Sequence, residues 1–354
     1  MFRRDRVLRA VLATGFCLLL TACAAPRPDG GGAAGDAAGK VWPPAPAAAR
    51  IRFVRSISAP HDAGVRRSFL RRLADRLGGR PEVHFVRPTG VAAGGGVVYV
   101  ADPGANTLWV LDPGGKRSSA IDKIGSTRLV SPVAVAARPD GAVYVADSVL
   151  GKVLLLDRKG DTSGVVVGSG LKRPAALAYD AAEQHLYVAD SAAQRILVYK
   201  ADGEALFSWG ERGSGAGQFN YPTYLALDNR GELLVTDALN FRVQAFDRDG
   251  KFLWQFGRHG DTSGSFAAPK GVAVDSDRHV YVVDTLFDVV QLFASDGTYL
   301  MSFGGRGSEV GQFWLPGGLF IDDRDRIYVA DAYNRRVQVF EFLHSAPQSP
   351  AQKP

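Results

Sequence analysis

The chain has 354 residues, 46% of them hydrophobic and 22% charged, a composition that supports a large buried core and excludes a disordered or fibrous chain. The formal charge of +6 is concentrated at the start: without Arg3, Arg4, Arg6, Arg9 and Asp5 it is +3, which removes the argument for a nucleic-acid partner. Forty-one glycines, many short apolar runs and few long helical patterns favour one large all-β domain over two smaller ones.

Residues 1–22 read as an export signal, because the basic start is followed by the apolar run Ala10 to Leu20, too short to span a membrane. Leu20-Thr21-Ala22-Cys23 then resembles the lipobox of bacterial lipoproteins, which implies cleavage before Cys23 and attachment of a diacylglyceryl group to its sulfur. Cys17 would leave with the signal, so the mature fold is expected to have neither a disulfide nor a thiolate catalyst. Ala24, where an aspartate would be a retention signal, resembles proteins sorted to the outer membrane, facing either the periplasm or the exterior. Residues 23–49 are mostly Ala, Gly and Pro and are expected to form a flexible tether with a reach of roughly 25 to 30 Å.

From residue 50 onward the chain repeats. The run "VYVAD", "VYVAD", "LYVAD", "LLVTD", "VYVVD", "IYVAD" ends on Asp102, Asp147, Asp190, Asp237, Asp284 and Asp331, at spacings of 45, 43, 47, 47 and 47 residues. Upstream of each aspartate a proline (Pro88, Pro132, Pro174, Pro222, Pro269 or Pro316) opens a short apolar run; downstream come two more runs divided by turns such as "DRDG". Four short strands repeated at this period predict a six-bladed β-propeller of four-stranded antiparallel blades. In the first strand of each unit bulky and small residues alternate, which lets adjacent blades interdigitate.

The later units carry a family likeness. "FGRHGDTSGSFAAPKGVAVD" and "FGGRGSEVGQFWLPGGLFID" have a Gly-rich, Phe-x-x-Pro link, and "DALNFRVQAF" and "DAYNRRVQVF" an Asn-x-Arg strand; together they resemble an NHL-repeat propeller over residues 50–343. The sixth unit has only three strands before the tail 344–354, so "RIRFVRSIS", Arg50 to Ser58, is expected to close the ring as the missing strand. Residues 59–87 are an insert: "SFLRRLADRLGG" places Phe69, Leu70, Leu73 and Leu77 on one helical face and predicts a short helix, capping the propeller or meeting a partner or membrane surface.

Antiparallel four-stranded blades put the link into the first strand and the loop between strands two and three on one face. Units four to six there carry Tyr221, Phe241, Arg242, Arg258, Phe287, Arg306, Trp314, Tyr333 and Arg335, with Leu239 and Leu286 beside them. Aromatic and arginine side chains dominate binding hot spots, and these nine form the candidate binding surface. Arg336 shares its position with Arg242 and reads as a structural pairing with a neighbouring loop. The residues after the six prolines, Thr89, Val133, Ala175, Thr223, Lys270 and Gly317, include no carboxylate or imidazole, which argues against a central metal or other cofactor. The six strand-end aspartates read as acceptors of backbone N–H groups. The expected protein is therefore a lipid-anchored envelope module, more a scaffold than an enzyme, binding another envelope protein or peptide. A metal-dependent lyase or lactone hydrolase and an anionic-glycan module are the alternatives.

Overall fold

The computed structural model describes residues 39–63, 84–112, 118–157 and 164–344. Six antiparallel sheets of four or five strands form the blades, and a two-stranded ribbon, Lys123–Ile124 with Thr127–Arg128, lies in the link between the first two. Blade one pairs Gly90–Gly94, Val97–Asp102, Thr107–Leu111 and Ser118–Ile121; blade four pairs Pro222–Leu227, Leu233–Asp237, Arg242–Phe246 and Phe252–Phe256. Blades two, three and five begin at Pro132, Pro174 and Pro269 and repeat the same order, each first strand lying innermost. The all-β, six-bladed, four-stranded architecture expected from the repeat is the observed one.

The second strand explains the repeat's apolar character. It is covered on both faces, so "VYVAD" and its relatives are buried along their whole length and do not show the polar alternation of a half-exposed strand. Tyr144, Tyr187, Tyr281 and Tyr328 occupy the same position in four blades and are fully buried as wedges in the interior. Their hydroxyls are satisfied: Tyr144 donates to Ala201 O at 2.7 Å, and Tyr281 and Tyr328 to Asp275 and Asp322 Oδ2 at 3.0 and 3.1 Å. A buried phenol without a partner would lose the desolvation cost of its hydroxyl.

The ring closes as the sixth unit requires. Ile51–Ile57 pairs antiparallel with Arg336–Phe342, setting Ile51 opposite Phe342, Phe53 opposite Phe340 and Ile57 opposite Val337. Ile51, Phe53 and Ile57 are buried while Arg52 and Val54 are exposed, the alternation of a strand with one face on the core. Of the segment 23–49 expected to be a tether, residues 39–49 lie among the described residues. Val41–Trp42 forms a fifth strand outside Ile51–Ile57, with Trp42 opposite Ile51. Its indole lies 6.0 Å from the Phe303 ring and 5.7 Å from that of Phe340, in space that a side chain at Gly311 would fill. Lys40 Nζ donates to Val310 O at 2.7 Å on the same edge. One tryptophan in an Ala/Gly/Pro segment buries enough apolar surface to offset the ordering of its neighbours.

Of the insert 59–87, Pro60–Ala63 forms a single 3-10 turn, and Phe85 packs on Trp109 with ring centroids 5.5 Å apart. The helix expected around Phe69 to Leu77, the export signal with Cys23, and the tail beyond His344 lie outside the described residues.

The first strands surround a cavity of about 180 Å³ on the propeller axis, lined by Ala134, Ala136, Ala176 and Ala178 and by larger residues of the other blades. Tyr224 crosses it. The Tyr224 hydroxyl, from blade four, accepts the Leu319 N–H of blade six at 3.1 Å, and burial pushes its pKa up to about 12. Gly318 faces both this hydroxyl and Thr89 O, so closely that a side chain there would collide with either.

Deleting the chain through Ser58 removes both outer strands of blade six and bares the Arg336–Phe342 edge. The expected outcome is loss of cooperative thermal unfolding and growth of light scattering at temperatures where the full chain is monodisperse.

Candidate binding face

The face that carries the links is built on one recurring contact. Each strand-end aspartate is fully buried and accepts backbone N–H groups of the link that enters its own blade. Asp102 takes Val86 and Arg87 N at 2.7 and 2.8 Å, Asp147 takes Val130 and Ser131 N at 2.7 and 2.9 Å, and Asp190 takes Lys172 and Arg173 N at 2.6 and 3.0 Å. Asp284 does the same for Ala267 and Ala268 at 2.7 and 3.2 Å. These are charge-assisted bonds, stronger than neutral ones, and they pin each link over the top of its blade.

Blades four and six use a variant. Asp237 accepts Asn220 N at 2.6 Å and Asp331 accepts Trp314 N at 2.8 Å, one link amide each. The second amide is taken by the preceding blade: Gln194 Oε1 accepts Tyr221 N at 2.6 Å and Asp288 Oδ1 accepts Leu315 N at 2.7 Å. The freed aspartate oxygen meets an arginine and an asparagine. Arg242 Nε lies 2.9 Å from Asp237 Oδ2 and Asn240 Nδ2 2.8 Å from it; Arg336 Nε and Asn334 Nδ2 lie 2.8 and 2.9 Å from Asp331 Oδ2. The other guanidinium nitrogens fan out under the Gly-rich links: Arg242 donates to the carbonyls of Ser214, Gly215 and Gln218, and Arg336 to those of Ser308, Glu309 and Gln312, at 2.8 to 2.9 Å. Burial pushes the Asp237 carboxyl up, against the Asn240, Asn220 and Arg242 donors that hold it down.

Arg242 is therefore not a surface residue. It is 6% exposed and its donors are occupied internally, so it leaves the set of nine as a structural group. Arg336 behaves identically, as its alignment with Arg242 implied. Gln244, Gln291 and Gln338 complete the scheme, and reading for charge and aromatics missed them. Gln338 Nε2 donates to Gln312 O and its Oε1 accepts Gly311 N; Gln244 repeats this with Gln218 O and Gly217 N. Their signal was present in "RVQAF", "VVQLF" and "RVQVF", a polar residue at the centre of a buried strand.

Two positions in the loop between strands two and three decide what reaches solvent. The fourth residue after each aspartate is left-handed: Asn106, Gly151, Gln194, Phe241, Asp288 and Arg335 have φ between 52° and 61°. The second residue after each aspartate is exposed, and it is Gly104, Val149, Ala192, Leu239, Leu286 and Tyr333. Val149, Leu239, Leu286 and Tyr333 are 67%, 54%, 63% and 51% exposed, so the face bears large apolar side chains at equivalent places in blades two, four, five and six.

The remaining candidates lie on the same face. Trp314 and Tyr333 are both exposed and come together, with ring centroids 5.7 Å apart. Phe241 stacks against His259 at 4.4 Å, and Arg173 lies over the Tyr221 ring at 5.8 Å. Phe287 is half-buried, with its N–H on Asp284 at 3.3 Å. Arg258, Arg306 and Arg335 are exposed; Arg258 Nε makes one long bond, 3.4 Å, to Ser265 Oγ, and Arg306 holds down the Asp288 carboxyl that burial raises. Among the described residues no three His, Cys, Asp or Glu side chains come together as a metal-ligand set.

These features define the class: a six-bladed β-propeller whose link face is held by strand-end aspartates and buried arginines. The NHL repeat family model matches residues 313–340, the last blade with its link, so the chain is a propeller containing an NHL repeat. Solved structures share the fold. A Bacteroides thetaiotaomicron protein of unknown function is 18% identical, with a TM-score of 0.58, over 73% of this chain and 70% of that one. Virginiamycin B lyase from Staphylococcus aureus is 14% identical, with a TM-score of 0.55, over 73% and 96%. A chain of a nidogen/laminin complex is 16% identical, with a TM-score of 0.50, over 70% and 88%. No curated protein sequence matches the chain.

The adjacent arginines of blade six should separate cleanly. Arg336→Ala leaves Asp331 buried without its cation and is expected to cost about 3 to 5 kcal/mol. Arg335→Gly removes an exposed side chain from a left-handed position and should stay within about 1 kcal/mol of the parent. Urea unfolding of the two variants measures both.

Proposed function

We propose that this chain is a non-catalytic binding propeller, held at the outer membrane through a lipid on Cys23, whose link face takes a polypeptide segment of another envelope protein. The observation that carries the reading is the exposed Trp314–Tyr333 pair, on the face that also carries the exposed Leu286 and Leu239. Leu239, Leu286 and Tyr333 are left in water at equivalent loop positions of blades four, five and six, the arrangement expected of a surface completed by a partner. The shared fold does not choose between functions, since solved propellers of this shape include both a lyase and a member of a protein complex. The enzyme alternative would need carboxylates or imidazoles at the channel mouth, and the first-strand starts supply a lysine, two threonines and small or apolar residues. The anionic-glycan alternative would rest on Arg258, Arg306 and Arg335, from the links into blades five and six and the loop of blade six.

Two measurements test this reading. Trp314→Ala combined with Tyr333→Ala should abolish in-cell crosslinking to the envelope partner while thermal unfolding stays within a few degrees of the parent; parallel loss of both would show that the pair is packing. Cys23→Ala should move the protein from the membrane to the soluble fraction, and continued membrane retention would contradict the lipid anchor.

A further inference from the structure

The centre of the same face has its own chemistry. The first strands of blades two to six start at a proline and that of blade one starts two residues after Pro88, so the residues on either side of these six prolines stand at one end of the first strands. They are Arg87 and Thr89, Ser131 and Val133, Arg173 and Ala175, Tyr221 and Thr223, Ala268 and Lys270, and Leu315 and Gly317: three cations and no carboxylate in twelve positions. The nearby strand-end aspartates are turned into the links and offer the mouth nothing.

Lys270 is the one of these cations that sits on a first strand, Pro269–Val274. Its ammonium reaches over the first strand of blade six, where a Cβ on Gly317 would lie 3.7 Å from Nζ and 3.8 Å from Thr89 O of blade one. Glycine there keeps the space open. Water reaches the side chain, yet protein surrounds it: burial and then the charge of Arg87 hold the ammonium below the usual lysine range. Among the described residues Lys270 has no hydrogen-bond or ion-pair partner, whereas Arg173 is spread over the Tyr221 ring. Beneath the mouth the phenol of Tyr224 spans the channel to Leu319, so the recess has a floor. A group entering from above is stopped there.

Resting on the binding role proposed above, we infer that Lys270 anchors a carboxylate: an acidic side chain of an extended partner segment, flanked by apolar residues, that lies across the link face. Charge complementarity selects the carboxylate. An unpaired ammonium beside a second cation gains most from an anion that fits the recess. The apolar side chains select the flanks. Blades two and five are opposite one another in a ring of six, so Val149 and Leu286 stand on opposite sides of the mouth, and Leu239, Tyr333 and Trp314 extend the second side. A strand crossing between them passes over the axis and drops one side chain onto Lys270. A side chain inside the segment suits this better than a chain end, because both sides of the mouth are apolar.

The test uses the full chain and three pools of fluorescent nonapeptides, capped at both ends unless stated, with apolar residues randomised around a fixed centre. One pool has a central Glu, one a central Gln, and one a central Gln with a free C-terminal carboxylate. Fluorescence anisotropy should show the Glu pool binding at least tenfold more tightly than the Gln pool; Lys270→Met should erase the preference and Lys270→Arg should keep most of it. The Lys270 side-chain resonances should show its pKa rising on binding of the Glu pool. Equal binding of the Glu and Gln pools would overturn the lysine anchor, while its loss in the Trp314→Ala, Tyr333→Ala double variant would leave the binding face itself standing. Preference for the free C-terminus, or binding only of an acidic oligosaccharide added as a fourth probe, would likewise overturn it. No binding of any probe, together with no crosslinked partner in cells, would remove both the anchor and the face.

Discussion

The contact on which the structure depends is the one between a strand-end carboxylate and the amides of the link above it. A propeller must connect the outer strand of one blade to the inner strand of the next, and that connection runs over the top with its N–H groups unpaired by any sheet. Asp102, Asp147, Asp190 and Asp284 satisfy two of these groups each. Buried carboxylates are costly unless fully bonded, so each position both requires its link and fixes it. The repetition of aspartate through six units is a consequence of this geometry, and it removes those aspartates from the inventory of groups available for chemistry.

The same accounting applies to the arginines. Arg242 and Arg336 extend the scheme to the long Gly-rich links of blades four and six, whose free carbonyls need donors that a carboxylate does not have. A guanidinium with five donors in one plane supplies them, and lysine in its place could not hold three carbonyls and a carboxylate together. The frame thus uses the charges that look most like a recognition motif in "NRRVQ" and "NFRVQ". What it leaves outward on this face is less conspicuous: a large apolar residue in four of the six loops, Trp314 beside Tyr333, and a lysine at the mouth of the channel.

Much of this was legible in the sequence. The period, the four strands per unit and the closing strand follow from patterns that only one stacking of sheets satisfies. The aspartates were readable as backbone acceptors because strand ends need them. Three things were not readable. Val41–Trp42 is too short for periodicity, and its place is set by the rings of Phe303 and Phe340, far away in the chain. Tyr224 looks like an ordinary strand aromatic until its hydroxyl is seen to reach Leu319, 95 residues on. Arg242 could not be told from Arg258 by type or face, and only its sharing of the Asn-x-Arg position with Arg336 pointed to its structural role: it stands beneath a link, whereas Arg258 is exposed.

Function in such a molecule belongs to what the frame does not use, and the central claim is that the link face, and not the opposite face with the first hairpins, meets the partner. Site-specific photocrosslinking in the native cell tests it most directly, with a benzophenone amino acid placed at Leu286 on the link face or at Glu183 on the opposite one. The account predicts a discrete polypeptide adduct from Leu286 and none from Glu183. An adduct from Glu183 alone, or equal adducts from both, would contradict it.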